Sequence, residues 1–414
     1  MFEDDGRMLT CPVLHPSALL VTEYDAQRLE PDERVEGMFR YHRWLPTGNR
    51  PLEGGPATFT YRSPRLSRIS GLPNLWLSFN GYWPEAGATL RTGTFKDLEA
   101  EAVLARLGDG HRGVTLVLAS AGNTAAAFAR ACSDRGQRCL VVVPQSGLDD
   151  LRFVSNLDPC VIVVALRAPA DYSDAIALAD RITATAGAAC VATGGVTNVA
   201  RVDGVGTTML AAAERIGRIP DYYLQAVGSG AGGIAAHQAA RRLVADGRFG
   251  DSLPRLLLSQ NAPYAPMVNA WRARRRELCF DGDERARIRR ISARVLSSRS
   301  PAYSVAGGVF DALTESCGGM LAVTNAEAAA ARELVEGCEG VDLDPAAAVA
   351  AASLLRAVRD GWIEPDAVVL LNLSGGGRRR LARRRPPAVI PALELDPAEA
   401  ERGATIKRIV DLIG

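Results

Sequence analysis

Lysine is almost missing from this chain. Of 48 basic residues, only Lys96 and Lys407 are lysines, and arginine supplies the rest. Net charge is nearly missing too, at a formal +1, which removes any global electrostatic pull toward nucleic acid or a membrane surface. No apolar run reaches bilayer length; the longest, such as CVIVVAL at 160–166, suit strands. The opening MFEDDGRML is acidic and carries no signal-peptide h-region, so a cytoplasmic location is expected. None of the eight cysteines stands in a C-x-x-C pair, and Cys139, Cys160 and Cys190 fall inside apolar strands, where reduced thiols are ordinary. Cys11 and His15 stand at C-x3-H without further ligands, so no metal site is expected.

The lysine shortage gives the two survivors weight. Arginine stays protonated in proteins, whereas a lysine amine can lose its proton and attack a carbonyl. Lys407 lies in GATIKRIVDLIG, a C-terminal helix pattern, and reads as solvated. Lys96, in RTGTFKDLEA, is the candidate for chemistry.

Residues 1–55 are rich in Pro, Gly and charge and read as an N-terminal arm. Thereafter apolar strand patterns alternate with helical ones: strands near 57–63, 75–79, 113–119, 138–144, 159–166, 221–228, 255–260, 319–324 and 367–375, with helices between them. Continuous apolar strands alternating with helices indicate an α/β fold of parallel-rich sheets covered by helices on both faces. The stretch 110–205 reads as a small α/β domain of its own. Residues 56–109 and 206–414 then form a larger domain that the chain leaves and rejoins. The basic run GGGRRRLARRRPP at 375–387 has no interleaved aromatics for stacking on bases and reads as a solvated loop.

Three glycine-marked loops stand at strand ends. In AVGSGAGGIAAHQAARRL (226–243), Gly228, Ser229, Gly230, Ala231, Gly232 and Gly233 let backbone N–H groups converge at a helix N-terminus, a place for a phosphate. A dinucleotide would need an acidic residue at the end of the next strand; that strand ends in SQN, with Gln260. A purely structural strand–helix turn is the other reading. In LASAGNTAAAFARA (118–131), Ser120, Ala121, Gly122 and Thr124 surround Asn123 at a second helix start, which suits a carboxylate, while Asn123 suits a ring hydroxyl or a simple N-cap. In LLNLSGGG (370–377), Ser374 can pair with a ring nitrogen or merely make a turn. A phosphate cup, a lysine amine, an Asn beside a hydroxyl and a neutral Ser at a ring nitrogen are together the contacts pyridoxal 5′-phosphate would use.

TGTFKD resembles the S-F-K-D motif of threonine synthase and its relatives, the fold-type-II pyridoxal-phosphate enzymes, and ASAGNT, GSGAGG and NLSGG stand in that family's order and spacing over about residues 55–380. The resemblance implies a two-domain, tryptophan synthase β-like fold, a homodimer, and a small domain, 110–205, that is mobile. It also implies that Lys96 is the Schiff-base lysine, that Asn123 meets the ring hydroxyl, that 228–233 hold the phosphate, and that Ser374 faces the pyridine nitrogen. A Ser in place of an Asp there leaves that nitrogen unprotonated, which suits β- and γ-elimination or replacement. GMFRYHRWLP, FNGYWPEAGATLRTGTFKDLEA and LTCPVLHPSALLVTEY look like the cysteate synthase branch, as does Leu-Glu-Ala after FKD where threonine synthases usually carry Arg-Gly. That likeness implies replacement of the phosphate of O-phospho-L-serine by sulfite, through an external aldimine and an aminoacrylate. Ser120–Thr124 would hold the substrate carboxylate. Arg91, Thr92 and Thr94, nearest the lysine in sequence, and Asn198 and Arg201 are candidates for holding phosphate or sulfite. Threonine synthesis from O-phosphohomoserine and β-replacement with another nucleophile remain the alternatives.

Overall fold

The computed structural model describes residues 3, 8–11, 13, 18–47, 54–108, 113–120, 122–153, 155–383 and 389–413. His15, Ala121 and the end of the basic run at 384–387 lie outside the described residues. The strands are β1 (Phe59–Arg62), β2 (Leu75–Phe79), β3 (Tyr82–Trp83), β4 (Ala88–Thr89), β5 (Thr115–Ala119), β6 (Cys139–Pro144), β7 (Val161–Leu166), β8 (Cys190–Ala192), β9 (Tyr222–Ala226), β10 (Arg255–Asn261), β11 (Gly319–Val323), β12 (Val369–Leu373) and β13 (Leu393–Leu395). One sheet has the order β1-β2-β12-β9-β10-β11, a second β13-β7-β6-β5-β8, and β3 and β4 form a small hairpin. Pairing in the two large sheets is parallel except between β1 and β2.

The strands read as unbroken apolar runs because both faces are covered. In β10, Leu256 and Leu258 join a cluster with Ile234 and Ala235 of the helix Ala231–Asp246. Leu257, between them, points the other way, among Ala350 and Leu354 of the helix Pro345–Arg359. The smaller sheet is sandwiched likewise. Leu118 and Val141 pack toward Phe128 of the helix Asn123–Arg135, and Leu140 and Val142 toward Leu178 and Ile182 of the helix Tyr172–Ala186. The first cluster includes side chains from both large sheets, so one apolar core runs between the two halves. The N-terminal arm belongs to it through Leu29, Met38, Phe39 and Trp44, with the Trp44 indole donating to the Ala26 carbonyl at 2.7 Å.

The C-terminal segment departs from the expected division. Instead of staying with the larger unit, β13 pairs with β7, Leu393 opposite Val164 and Leu395 opposite Leu166. The helix Gly403–Ile413 then buries Ile406, Ile409 and Ile413 against that sheet, leaving Lys407 exposed. A three-residue strand is too short to announce itself by periodicity. The helix before β9 begins at Val199. Gly204 and Gly206 mask its pattern, and the first has a packing reason: a Cβ there would meet the Leu98 carbonyl at 2.5 Å and the Ala102 methyl at 2.7 Å. That close approach seats the helix Lys96–Leu107 against Val199–Ile216.

Candidate active site

Lys96 opens its helix at the point where the preceding loop is tied to the loop after β12. Phe95 N donates to the Ser374 carbonyl at 3.1 Å, and Gly376 N to the Gly93 carbonyl at 2.9 Å. Lys96 and Ser374, far apart in sequence, are thereby fixed as neighbours by backbone. Thr92 steadies the same turn, its N–H donating to Asp97 Oδ2 at 3.0 Å and its hydroxyl donating to Oδ1. Burial pushes the Asp97 carboxyl up to about 6, against the pull of those hydrogen bonds.

The Lys96 amine is largely buried and pairs with Glu99 Oε1, one turn along the same helix. Glu99 Oε2 accepts from Arg201 Nη2 at 2.7 Å and Nε at 3.1 Å. Arg201 also donates to Thr193 Oγ1 at 3.3 Å and lies 5.4 Å from the centre of the Phe128 ring. Burial pushes the Lys96 amine below the ordinary lysine range; Glu99 opposes the shift and Arg201 adds to it. Burial would raise the Glu99 carboxyl, but Lys96 and Arg201 together hold it below its usual value, so it is ionised. Tyr172 faces the same groups, its phenol pushed up by burial.

A cavity of about 120 Å3 joins these residues to the three loops. Lys96, Ser374 and the 228–232 turn enter it from the six-stranded half, and Ser120, Gly122, Asn123, Thr124 and Tyr172 from the other. The turn after β9 leads into the helix Ala231–Asp246, whose N-cap, Gly230, carries no side-chain cap. Ala231 N makes only a long contact to Ser229 Oγ, 3.5 Å, so the N–H groups of this first turn and the positive end of the helix dipole face the cavity for an anion. Side chains are kept out of this cradle by packing: a Cβ at Gly228 would meet the Val295 carbonyl at 2.8 Å, and one at Gly232 would collide with the Gln225 amide. An amine, an open anion cup and a buried serine around one cavity fit pyridoxal 5′-phosphate.

Not every expected residue arrives. Arg91 is half-exposed and paired with Asp134 at 2.6 Å and Glu101 at 3.3 Å. Thr92 is spent on Asp97, and Thr94 Oγ1 accepts from Lys96 N at 3.4 Å. Asn198 is a fully buried N-cap, accepting from Ala200 N at 2.9 Å and donating to the Thr193 carbonyl at 2.9 Å. None of these four lines the cavity. Gly233 faces the sheet, 2.8 Å from Leu258 Cδ1 as measured from the position of a Cβ. Sequence reasoning misses Glu99, Tyr172, Gln225 and Arg378. Only Glu99 has a signal, its i,i+3 spacing from Lys96 on one helix face. A larger groove of about 440 Å3, between the Met38–Tyr41 turn, β1 and Glu214, holds no lysine and none of the expected residues.

The family model described as pyridoxal-phosphate dependent enzyme matches residues 53–375. The chain is 48% identical over 377 residues to a cysteate synthase of Methanoculleus marisnigri, covering 90% of this chain and 85% of that one. It is 46% identical over 379 residues to a cysteate synthase of Methanocorpusculum labreanum, covering 90% of each. The solved structure of maize serine racemase shares the fold, with a TM-score of 0.58 at 17% identity over 77% of this chain and 89% of that one. The chain belongs to the pyridoxal-phosphate dependent enzyme family, with pyridoxal 5′-phosphate as its cofactor.

Proposed function

We propose that this enzyme replaces the phosphate of O-phospho-L-serine by sulfite, giving L-cysteate and phosphate. The observation that carries the reading is the cation beside the lysine: Arg201, locked by Glu99, borders the same cavity as Lys96. A reaction in which one anion leaves Cβ and another arrives there needs such a group. The likeness to cysteate synthases at 48% and 46% identity supports the same substrates.

Lys96 and the 228–232 turn would hold the cofactor, with Ser374 at its ring nitrogen and Asn123 at its ring oxygen. When bound, the cofactor supplies an electron sink for the bonds at the substrate Cα. Lys96, displaced by the substrate amine, takes the Cα proton and later returns it. Burial lowers its basicity, a shift toward the neutral form that can accept a proton. The bond from Cβ to the phosphate oxygen breaks with its electron pair leaving on phosphate, and sulfite then donates a pair to the same carbon. The N–H groups that open the helix Asn123–Arg135 would bind the substrate carboxylate, and Arg201 the departing or entering anion. Tyr172 helps keep water from Cβ. The 110–205 unit, together with the C-terminal segment that pairs with it, closes over the substrate; solution scattering should show compaction when phosphoserine is added.

The test is a pair of assays on the purified holoenzyme. Phosphoserine with sulfite should release phosphate and cysteate, and phosphohomoserine should be inert. Threonine formed from phosphohomoserine, or no cysteate from phosphoserine and sulfite, would overturn the reading.

A further inference from the structure

Asn123 does not meet the cavity alone. Its Oδ1 accepts from Arg378 Nη2 at 2.7 Å. A guanidinium has donors and no acceptor, so the asparagine atom facing it must be the carbonyl oxygen. The amide nitrogen, with its two N–H groups, is then turned away from the arginine. Asn123 lines the cavity, so that nitrogen is the part of the side chain left for a ligand.

The arginine is itself held, and unevenly. Nε donates to Asp344 Oδ1 at 2.7 Å and Nη2 to Oδ2 at 3.1 Å, a two-pronged grip on a buried carboxylate. Asp344 stands at the start of the helix Pro345–Arg359, and its N–H donates to the Gly375 carbonyl at 3.1 Å. Arg378 is thus seated firmly on the six-stranded half. Its other contacts cross to the five-stranded half: one to Asn123, and one from Nη1 to Asp150 Oδ1 at 3.0 Å. Asp150 comes after β6 and occupies the space over Gly122, where a Cβ would collide with its carboxylate. The crossing contacts are single, and the seat is double. If the halves separated, Arg378 would stay with Asp344 and let Asn123 go.

We propose that Arg378 is a positioning residue that sets the direction of the Asn123 amide from across the cavity. It thereby ties the hydrogen-bond donor for the cofactor's ring oxygen to the approach of the two halves. The inference rests on Asn123 meeting that oxygen.

The test is a double-mutant cycle of Arg378→Met and Asn123→Ala, read in two ways that need no turnover. One is the affinity of the apoprotein for pyridoxal 5′-phosphate. The other is the pH midpoint of the visible band of the loaded protein. One hydrogen bond corresponds to a loss of affinity of about three- to tenfold. Each single variant should show such a loss, with the midpoint moved upward, because a ring oxygen without its donor holds a proton longer. In the Asn123→Ala background, Arg378→Met should add nothing further to either reading. Full additivity would mean that the arginine acts through its charge or through packing, and would overturn the proposal; so would an unchanged Arg378→Met. An unchanged Asn123→Ala would overturn the reading of Asn123 as well, which separates the two failures. Should Arg378→Met not fold, Arg378→Lys enters the same cycle. It keeps the charge but cannot serve Asp344, Asp150 and Asn123 together, so a smaller loss, again absent beside Asn123→Ala, is expected. Zero coupling there overturns the proposal equally.

Discussion

Replacing Glu99 with glutamine would take away the negative charge that Lys96 and Arg201 share. The Glu99 side chain is 1% exposed and its partners 16% and 12%, so little solvent is at hand to take its place. Removing one partner of a buried ion pair costs about 3–5 kcal/mol. The loss here should sit near the lower end, about 3 kcal/mol at neutral pH, because Lys96 has an escape: it can shed its proton. Burial already holds the amine below the ordinary range, and Glu99 is what opposes that shift. Without Glu99 the folded-state value falls further, while the unfolded value stays at about 10.4. Between the two values the unfolded chain binds more protons than the folded one, so stability rises with pH. The window is wider in the variant, so its deficit relative to the parent must shrink as pH climbs from the variant's folded value to the parent's, and stay constant above it. Urea unfolding of the two apoproteins at several pH values measures this directly. The same shift should let the variant capture pyridoxal 5′-phosphate at lower pH than the parent, since only the neutral amine attacks the aldehyde. A deficit under about 1 kcal/mol, or one that does not change with pH, would refute the buried-pair reasoning.

Gly232→Ala places a methyl against the Gln225 amide, which also accepts from Asn372 Nδ2 at 3.0 Å. The cup must shift, and cofactor affinity should fall by about tenfold or more, for an overpacking cost of about 1–3 kcal/mol, measured by titrating the apoprotein. Ile409→Ala empties a fully buried site between the C-terminal helix and the five-stranded sheet. It should cost about 2–5 kcal/mol in denaturant unfolding without weakening cofactor binding to the folded protein.

How legible each feature is in the sequence depends on where its signal is stored. Strands such as β9, β10 and β12 are apolar without interruption because they are covered on both faces, and that pattern is local. The glycine loops are local as well: the 228–232 cup is a strand end, a turn and a helix start in one continuous stretch, so its chemistry can be inferred from neighbours in sequence. Lys96 stands out by a different route, as the lysine kept where arginine stands almost everywhere else, and the structure places it on the cavity. Three substrate-side candidates lie off the cavity for the opposite reason. Arg91, Thr92 and Thr94 are near Lys96 in sequence, but the helix that begins at Lys96 turns the residues before it into supports, capped by Asp97 and paired to Glu101 and Asp134. Proximity along a chain predicts shared backbone, not a shared direction of side chains.

The site residues that composition and spacing do not reveal share one property: each completes its contact with an element folded from elsewhere. Tyr172 reaches the Lys96–Glu99–Arg201 group from the first turn of a helix in the other half. Arg378 reads in the sequence as one more charge in a solvated run, yet Asp344 and Asp150 hold it together. Composition marks the run as a solvated loop, whereas the structure forms a short helix over Arg378–Ala382, in which the neighbour Arg379 is 69% exposed. The difference lies in Gly377, whose backbone φ of +77° turns the chain so that Arg378 points back toward Asn123. A glycine three residues after Ser374 is therefore where a local conformational signal and a distant contact meet. That turn aims the guanidinium, the guanidinium holds the Asn123 carbonyl oxygen, and the proposal above gives the amide nitrogen its task at the cofactor. Ser374, which the sequence marks as a candidate and the structure places on the cavity, is the first member of this chain of contacts.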